Sequence, residues 1–206
     1  IYIYSYSDNE DDITVEFTQE DMDAIVEKVP HVKAVTPSWS ASAHCEGRKG
    51  DFSTTISFGT TGQEYAINDP VIKGKYFTEN DYYSANRVCV ITENSAKLLF
   101  GNTDVVGMSV DVTCLGNTQE FTVIGIRKDS NSMLSGLMVN ETVSMEVPLT
   151  ILTDVYGYTI TMNQLLIISD GGEYANQVAK DTVRLMENRH NVRGKEAIMV
   201  ENFNDI

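Results

Sequence analysis

The residues able to do chemistry are few, and they are scattered. Three histidines, His31, His44 and His190, are the only imidazoles in 206 residues. They form no H-x-x-x-H or H-E-x-x-H pair that would place two ligands on one helix face, and no G-x-S-x-G elbow presents a nucleophile. His31 follows Pro30, and His190 falls at the end of a long helical pattern, where a partly charged imidazole complements the helix dipole. The carboxylate pairs Asp21 with Asp23 and Asp8 with Glu10 carry no glycosidase signature and read as surface charge. The acidic run Asp8-Asn9-Glu10-Asp11-Asp12 offers oxygen ligands for calcium, but it lacks the glycine and terminal glutamate of an EF-hand loop and reads as a solvated arm. Gly171-Gly172 could present amides to an anion, but the preferred reading of the pair is a strand-to-helix turn. The expectation is no catalytic, cofactor or metal site.

Cys45, Cys89 and Cys114 are too few for a disulfide scaffold, and no C-x-x-C pair points to zinc or redox work. Cys89 and Cys114 lie on expected strands and could pair across a sheet; the preferred reading is that they are buried small hydrophobes. Ten tyrosines, clustered at Tyr82-Tyr83 and Tyr156-Gly157-Tyr158, suit contact surfaces or strand faces. Asn140-Glu141-Thr142 is a formal glycosylation sequon.

The elements that would position these residues are clearer. Thr18 with Asp21 three residues on forms a capping arrangement, and Met22, Ile25, Val26 and Val29 then mark one helix face ended by Pro30. Val32 and Val35 begin an extended stretch that Pro37 interrupts, and residues 53–58 read as a strand followed by a Gly59–Gly62 turn. In the middle, strands are expected over Arg87–Thr92, Ser109–Thr113 and Glu120–Arg127. Between the first two lies a short helix Glu93–Phe100 closed by Gly101. Val110 and Val112 alternate toward one face, and Gly116-Asn117 is turn chemistry. Residues 129–142 read as a long polar loop or hairpin tip. The end returns to a buried strand Gln164–Ser169, a helix Glu173–Asn188 with a stripe of Ala175, Val178, Ala179, Thr182, Leu185 and Met186, and a strand Glu196–Phe203. The expected fold class is α+β, with a β-rich block inserted between helix-and-strand units at the two ends.

Composition narrows the partners. Thirty acidic residues against 15 basic ones leave a net charge of −15, which repels phosphate and anionic headgroups and argues against nucleic acid. Forty-two per cent of residues are apolar and 22% charged, a globular balance. The longest apolar runs, such as Leu165–Ile168, fall far short of the roughly 20 residues that span a bilayer, and no signal-peptide pattern opens the chain. A start at Ile1 reads as a fragment or processed product.

One stretch is specific. Gly74-Lys75-Tyr76-Phe77-Thr78-Glu79-Asn80-Asp81 is followed by Arg87-Val88-Cys89-Val90-Ile91 and Ala96-Lys97-Leu98-Leu99-Phe100-Gly101. Asp104-Val105-Val106-Gly107-Met108-Ser109-Val110 and Phe121-Thr122-Val123-Ile124-Gly125-Ile126 complete it. This order resembles the periplasmic core domain of MacB-type, FtsX-like ABC transporter permeases. Ile25–Pro37 and Val147-Pro148-Leu149-Thr150 resemble the family's flanking segments. Lys75, Val105 and His31 replace a usual Arg, Pro and Gly.

The resemblance implies an α+β, porter-like subdomain from residues 18–65 and 148–206, a β-rich, sabre-like insertion over 66–147, and an N-terminal arm 1–17. It marks Gly74, Phe77, Asp81, Leu99, Phe100, Gly101, Gly107, Gly125 and Pro148 as structural positions. Gly74, Gly101 and Gly107 are expected to supply unusual backbone conformations, and Phe77, Leu99 and Phe100 to plug the β-rich block. It implies no enzyme activity in this domain and a place outside the membrane. The domain would transmit ATP-driven movement for extrusion of peptides, drugs or lipoproteins. The implied partners are a cytoplasmic ATP-binding subunit or domain, a second permease in a homodimer or heterodimer, and an adaptor protein where an outer membrane exists. The acidic surface suits a cationic peptide substrate. The alternative is an extracellular ligand-sensing or protein-interaction domain sharing the fold.

Overall fold

The computed structural model describes residues 1–5, 12–130 and 141–202. The acidic segment Asp8–Asp11, residues 131–140 of the expected loop, Asn140 of the sequon and Phe203 lie outside them. The chain divides into two units, residues 1–38 with 160–206, and residues 39–159.

The first unit is built from both chain ends. Strand β1 (Tyr2–Ser5) leads to helix α1 (Gln19–Lys28) and strand β2 (Val32–Pro37). Far along the chain come β10 (Gln164–Ser169), a 3-10 turn Gly172–Tyr174, a long helix Ala175–Arg189 and β11 (Ile198–Glu201). The four strands form one antiparallel sheet in the order β11-β1-β10-β2. A β-α-β-β-α-β chain with that strand order is the split βαβ arrangement of ferredoxin-like folds. The core joins Ile3, Leu165, Ile167 and Ile198 of the strands to Met22, Ile25, Val178 and Met186 of the helices.

Helix α1 starts where the sequence predicts. Thr18 Oγ1 accepts from the Asp21 amide (3.2 Å) while Asp21 Oδ2 accepts from the Thr18 amide (2.9 Å), a complete capping box. Val26, expected on the buried face, is 51% exposed. The buried face of this helix is centred on Asp21, Met22, Ala24 and Ile25, and Val26 lies one residue beyond it. β10 is half-buried, with Leu165 and Ile167 turned to the core, because the core gathers on a single face of its sheet. Within the expected arm 1–17, β1 is an inner strand, and Val15 and Phe17 belong to the core.

The second unit is larger than the expected insertion 66–147, running from Trp39 to Thr159. The reason is strand pairing. β3 (Trp39–Gly47) and β4 (Gly50–Gly59) form a hairpin whose partners are β7 (Ser109–Cys114) and β9 (Val143–Pro148), so residues 39–65 cannot belong to the other sheet. With β5 (Val71–Gly74), β6 (Val88–Thr92) and β8 (Asn117–Arg127), the order is β5-β8-β6-β9-β4-β3-β7. The last strand returns to β8, which closes a six-stranded ring with β5 attached outside it. The length of β8 makes closure possible. Residues 117–122 pair with β7, and residues 122–127 pair with β6.

Among the described residues, three short helices serve this barrel: α2 (Glu79–Tyr83), α3 (Glu93–Phe100) and α4 (Leu149–Asp154). The helix of the first unit, Ala175–Arg189, is α5. Helix α3 touches β3, β4, β6, β8 and β9, five of the six ring strands. Its Ala96, Leu99 and Phe100 are buried.

Candidate functional site

The motif residues assemble into supports for the barrel. Gly74 and Gly125 face one another across the β5–β8 pair. Gly74 has φ +67°, and a Cβ on it would overlap the Ile124 carbonyl oxygen. A Cβ on Gly125 would overlap the Lys75 carbonyl oxygen. These two backbones approach as only glycines permit. Gly125→Ala is expected to cost about 1–3 kcal/mol through forced backbone movement. Urea denaturation checks it, and an unchanged midpoint would show that the strands can part without cost.

Gly101 ends α3 in the left-handed conformation, φ +83°, its amide donating to the Lys97 carbonyl at 2.8 Å. Gly107 has φ +94°, and its amide donates to the Val123 carbonyl at 2.7 Å, fastening the approach to β7 onto β8. Phe77 is buried and packs on Tyr76, ring centroids 4.5 Å apart. Asp81 caps α2 in a second capping box with Thr78 and accepts from Asn86 Nδ2 at 2.9 Å. Burial opposes its ionisation, but those hydrogen bonds and Lys75 outweigh it and hold the carboxyl below its usual range. Pro148 ends β9 and opens α4.

Inside this frame lies a charged network that no motif announces. Arg127, at the end of β8, is 2% exposed. Its Nε donates to Glu146 Oε2 and its Nη2 to Glu146 Oε1, both at 2.8 Å, a two-pronged pair between β8 and β9. Its Nη1 donates to the Asp69 carbonyl (2.5 Å) and the Glu64 carbonyl (3.3 Å), pinning the segment before β5. Tyr76 donates its hydroxyl to Glu146 Oε1 at 2.8 Å, and its ring lies 5.5 Å from the guanidinium carbon. Burial, then the adjacent Glu146 carboxylate, push the Tyr76 hydroxyl far above its ordinary pKa, so it remains a donor. The nearest sequence signal is a lone cation closing an apolar strand (Arg127); its meeting with Glu146, 19 residues on, depends on β8 and β9 lying with only β6 between them.

A cleft of about 370 Å³ opens beside this network, lined by hydroxyls and amides such as Thr55, Ser57, Thr92 and Asn94. No histidine or thiol lines it. Among the described residues, no three His, Cys, Asp or Glu side chains are placed to hold a metal ion. All three cysteines are buried and unpaired. Burial, then Asp51 and Asp111, push the Cys45 thiol up to about 12, and burial raises Cys89 and Cys114, so none is a ready thiolate.

The first unit has its own charged cluster. Asp21, expected on the surface, is 2% exposed, because its carboxylate serves three partners at once. Besides the Thr18 amide it receives Arg189 Nε at 2.8 Å and lies 2.8 Å from His190 Nε2. His190 therefore binds α1, in addition to ending α5. Burial raises the Asp21 pKa, but Arg189, the Thr18 amide and His190 together take it below its ordinary 3.8. A carboxyl depressed in the fold adds stability that is complete above its unfolded pKa and lost as pH falls through the folded one. Asp21→Asn is expected to remove about 1.5–3 kcal/mol at neutral pH, since one amide oxygen cannot serve donors on both sides. It should also flatten the loss of stability below about pH 4. Denaturation midpoints from pH 7 to pH 3 test this; parallel curves for the two proteins would contradict it.

His31 stands at φ +65°, a left-handed position where the resembled family uses Gly. Its ring stacks on Tyr174 at 3.7 Å between centroids, and Nδ1 lies 3.8 Å from Asp170.

The model of the MacB-like periplasmic core domain matches residues 1–185. The chain belongs to the MacB-like periplasmic core domain family. It is similar to the uncharacterized ABC transporter permease YknZ of Bacillus subtilis, 24% identical over 183 residues, which cover 89% of this chain and 44% of that protein. It is 27% identical over 121 residues to the macrolide export ATP-binding/permease protein MacB of Syntrophobacter fumaroxidans, covering 58% of this chain and 16% of that protein. The crystal structure of the extracellular domain of the transporter YknZ from Gram-positive bacteria superposes with a TM-score of 0.72 at 25% identity, covering 98% of this chain and 99% of that one. The chain thus spans less than half the length of these curated relatives. This MacB-like core domain corresponds to the extracellular domain of the ABC-type transporter YknZ. Its α+β fold with an inserted β-rich unit is the family's fold.

Proposed function

We propose that this domain relays movement generated by ATP hydrolysis on the cytoplasmic side to the cell exterior, where the transporter extrudes peptides, drugs or lipoproteins. The observation that carries this reading is how the barrel is held. It is spliced into the connection between β2 and β10 of a sheet that uses both chain ends. The barrel is closed, plugged by α3 and fastened by the buried Arg127–Glu146 pair. A closed, plugged body deforms little, so a displacement that reaches it moves it as a whole. Gly74, Phe77, Asp81, Leu99, Phe100, Gly101, Gly107, Gly125 and Pro148 serve this rigidity. The motor is an ATP-binding subunit or domain across the membrane, the permease works as a homodimer or heterodimer, and an adaptor protein joins it where an outer membrane exists. The domain contributes no reaction of its own.

The test uses the full transporter in vesicles. Replacing Trp39–Thr159 by a short Gly-Ser turn leaves the β2–β10 pairing intact. The expected result is ATP hydrolysis retained and export reduced to background. Export at the level of the unaltered transporter would overturn the reading.

A further inference from the structure

A groove of about 670 Å³ runs along the first unit between the outer face of α5 and β11. Three cations line it, Lys180, Arg184 and Arg193, against the single carboxylate of Glu187. Among the described residues none of the three cations has a carboxylate within 4 Å, although the chain carries two acidic residues for each basic one. A protein this acidic could neutralise such cations readily, and here it leaves them open to solvent along one concave surface. The floor is apolar: Val183 packs partly on the core and Val200 is 36% exposed. Asn202 Nδ2 donates to Asn176 Oδ1 at 3.0 Å, tying the strand end to the helix at the groove's margin.

β11 is the edge of its sheet and, among the described residues, pairs with β1 alone. An edge strand offers a row of main-chain donors and acceptors to an added strand, and side-chain pockets then set its specificity. Strand alternation turns Val200 toward the helix side with Ile198, so an added strand would set every second side chain toward the cations of α5.

We propose that this groove is a docking site for an extended, acidic segment of a partner protein, which pairs with β11 and places its carboxylates on Lys180, Arg184 and Arg193. This inference stands apart from the transmission reading, since the groove would hold such a segment whether or not the barrel relays force.

The test uses the 206-residue chain and a peptide of alternating Glu and Val, with a Lys/Val peptide of equal length as control and phosphatidylglycerol vesicles as a second probe. The expected result is amide NMR shifts confined to α5 and β11, from the acidic peptide alone, with affinity falling at least tenfold in the double variant Lys180→Glu/Arg184→Glu. Added salt should weaken the same binding in the unaltered chain, which keeps the test decisive if the variant folds poorly. The proposal is overturned if the acidic peptide leaves these amides unmoved up to about 5 mM, beyond the millimolar range of weak binding. Equal binding of the Lys/Val peptide, or vesicle binding without peptide binding, would likewise overturn it.

Discussion

Arg127→Met should lower the stability of the domain by about 3–5 kcal/mol, the cost of leaving a buried carboxylate without its partner. Glu146 would keep only the Tyr76 hydroxyl, and the carbonyl oxygens of Asp69 and Glu64 would lose a donor in the interior. The double variant Arg127→Met/Glu146→Leu should recover most of the loss, because two apolar side chains need no solvation. Guanidinium denaturation of the three proteins checks both statements. A single variant within about 1 kcal/mol of the unaltered protein would mean that water reaches Glu146.

The second large effect belongs to Phe100. Its ring is 6% exposed on α3, beside Leu99 and ahead of the left-handed Gly101. Phe100→Ala should cost about 3–5 kcal/mol, the lost transfer of the ring plus the cavity left in a barrel that cannot collapse. Phe100→Leu should recover more than half of that. A thermal midpoint unchanged to within about a degree would contradict the burial.

The two effects differ in how far the sequence revealed them. α3 was legible because everything that defines it is local: an N-cap at Thr92, apolar positions at Ala96, Leu99 and Phe100, and Gly101 to stop it. The same holds for α1, with its capping box, and for β7, where Val110 and Val112 alternate. β3 escaped because its inward residues, Ala43 and Cys45, are small, and the Ser40-Ala41-Ser42 run before them carries little contrast to mark a period of two. β1 escaped because tyrosines fit either a strand face or a solvated arm, and only its pairing with both β10 and β11 decides.

Domain boundaries and the buried network were hidden for a shared reason. Both depend on which strands are neighbours. The β3–β4 hairpin looks as though it continues the first unit until its partners β7 and β9 are known. Asp21 shows the mixed case: its capping role could be read from Thr18 three residues earlier, while Arg189 and His190 lie 168 and 169 residues away. The groove on α5 is likewise tertiary. Lys180 and Arg184 are one helical turn apart in the sequence, but Arg193 and Val200 join them only through the fold.

That the domain is a rigid relay is tested most directly in the full-length transporter, reconstituted with its ATP-binding part and spin-labelled at Glu120 on the barrel. A second label sits on the permease's membrane portion, and a control pair joins Asn102 to Glu120 within the barrel. The account predicts that the first distance changes when ATP binds and returns after hydrolysis, while the control distance stays fixed throughout. A barrel label that keeps one distance from the membrane portion through the whole ATP cycle would contradict it.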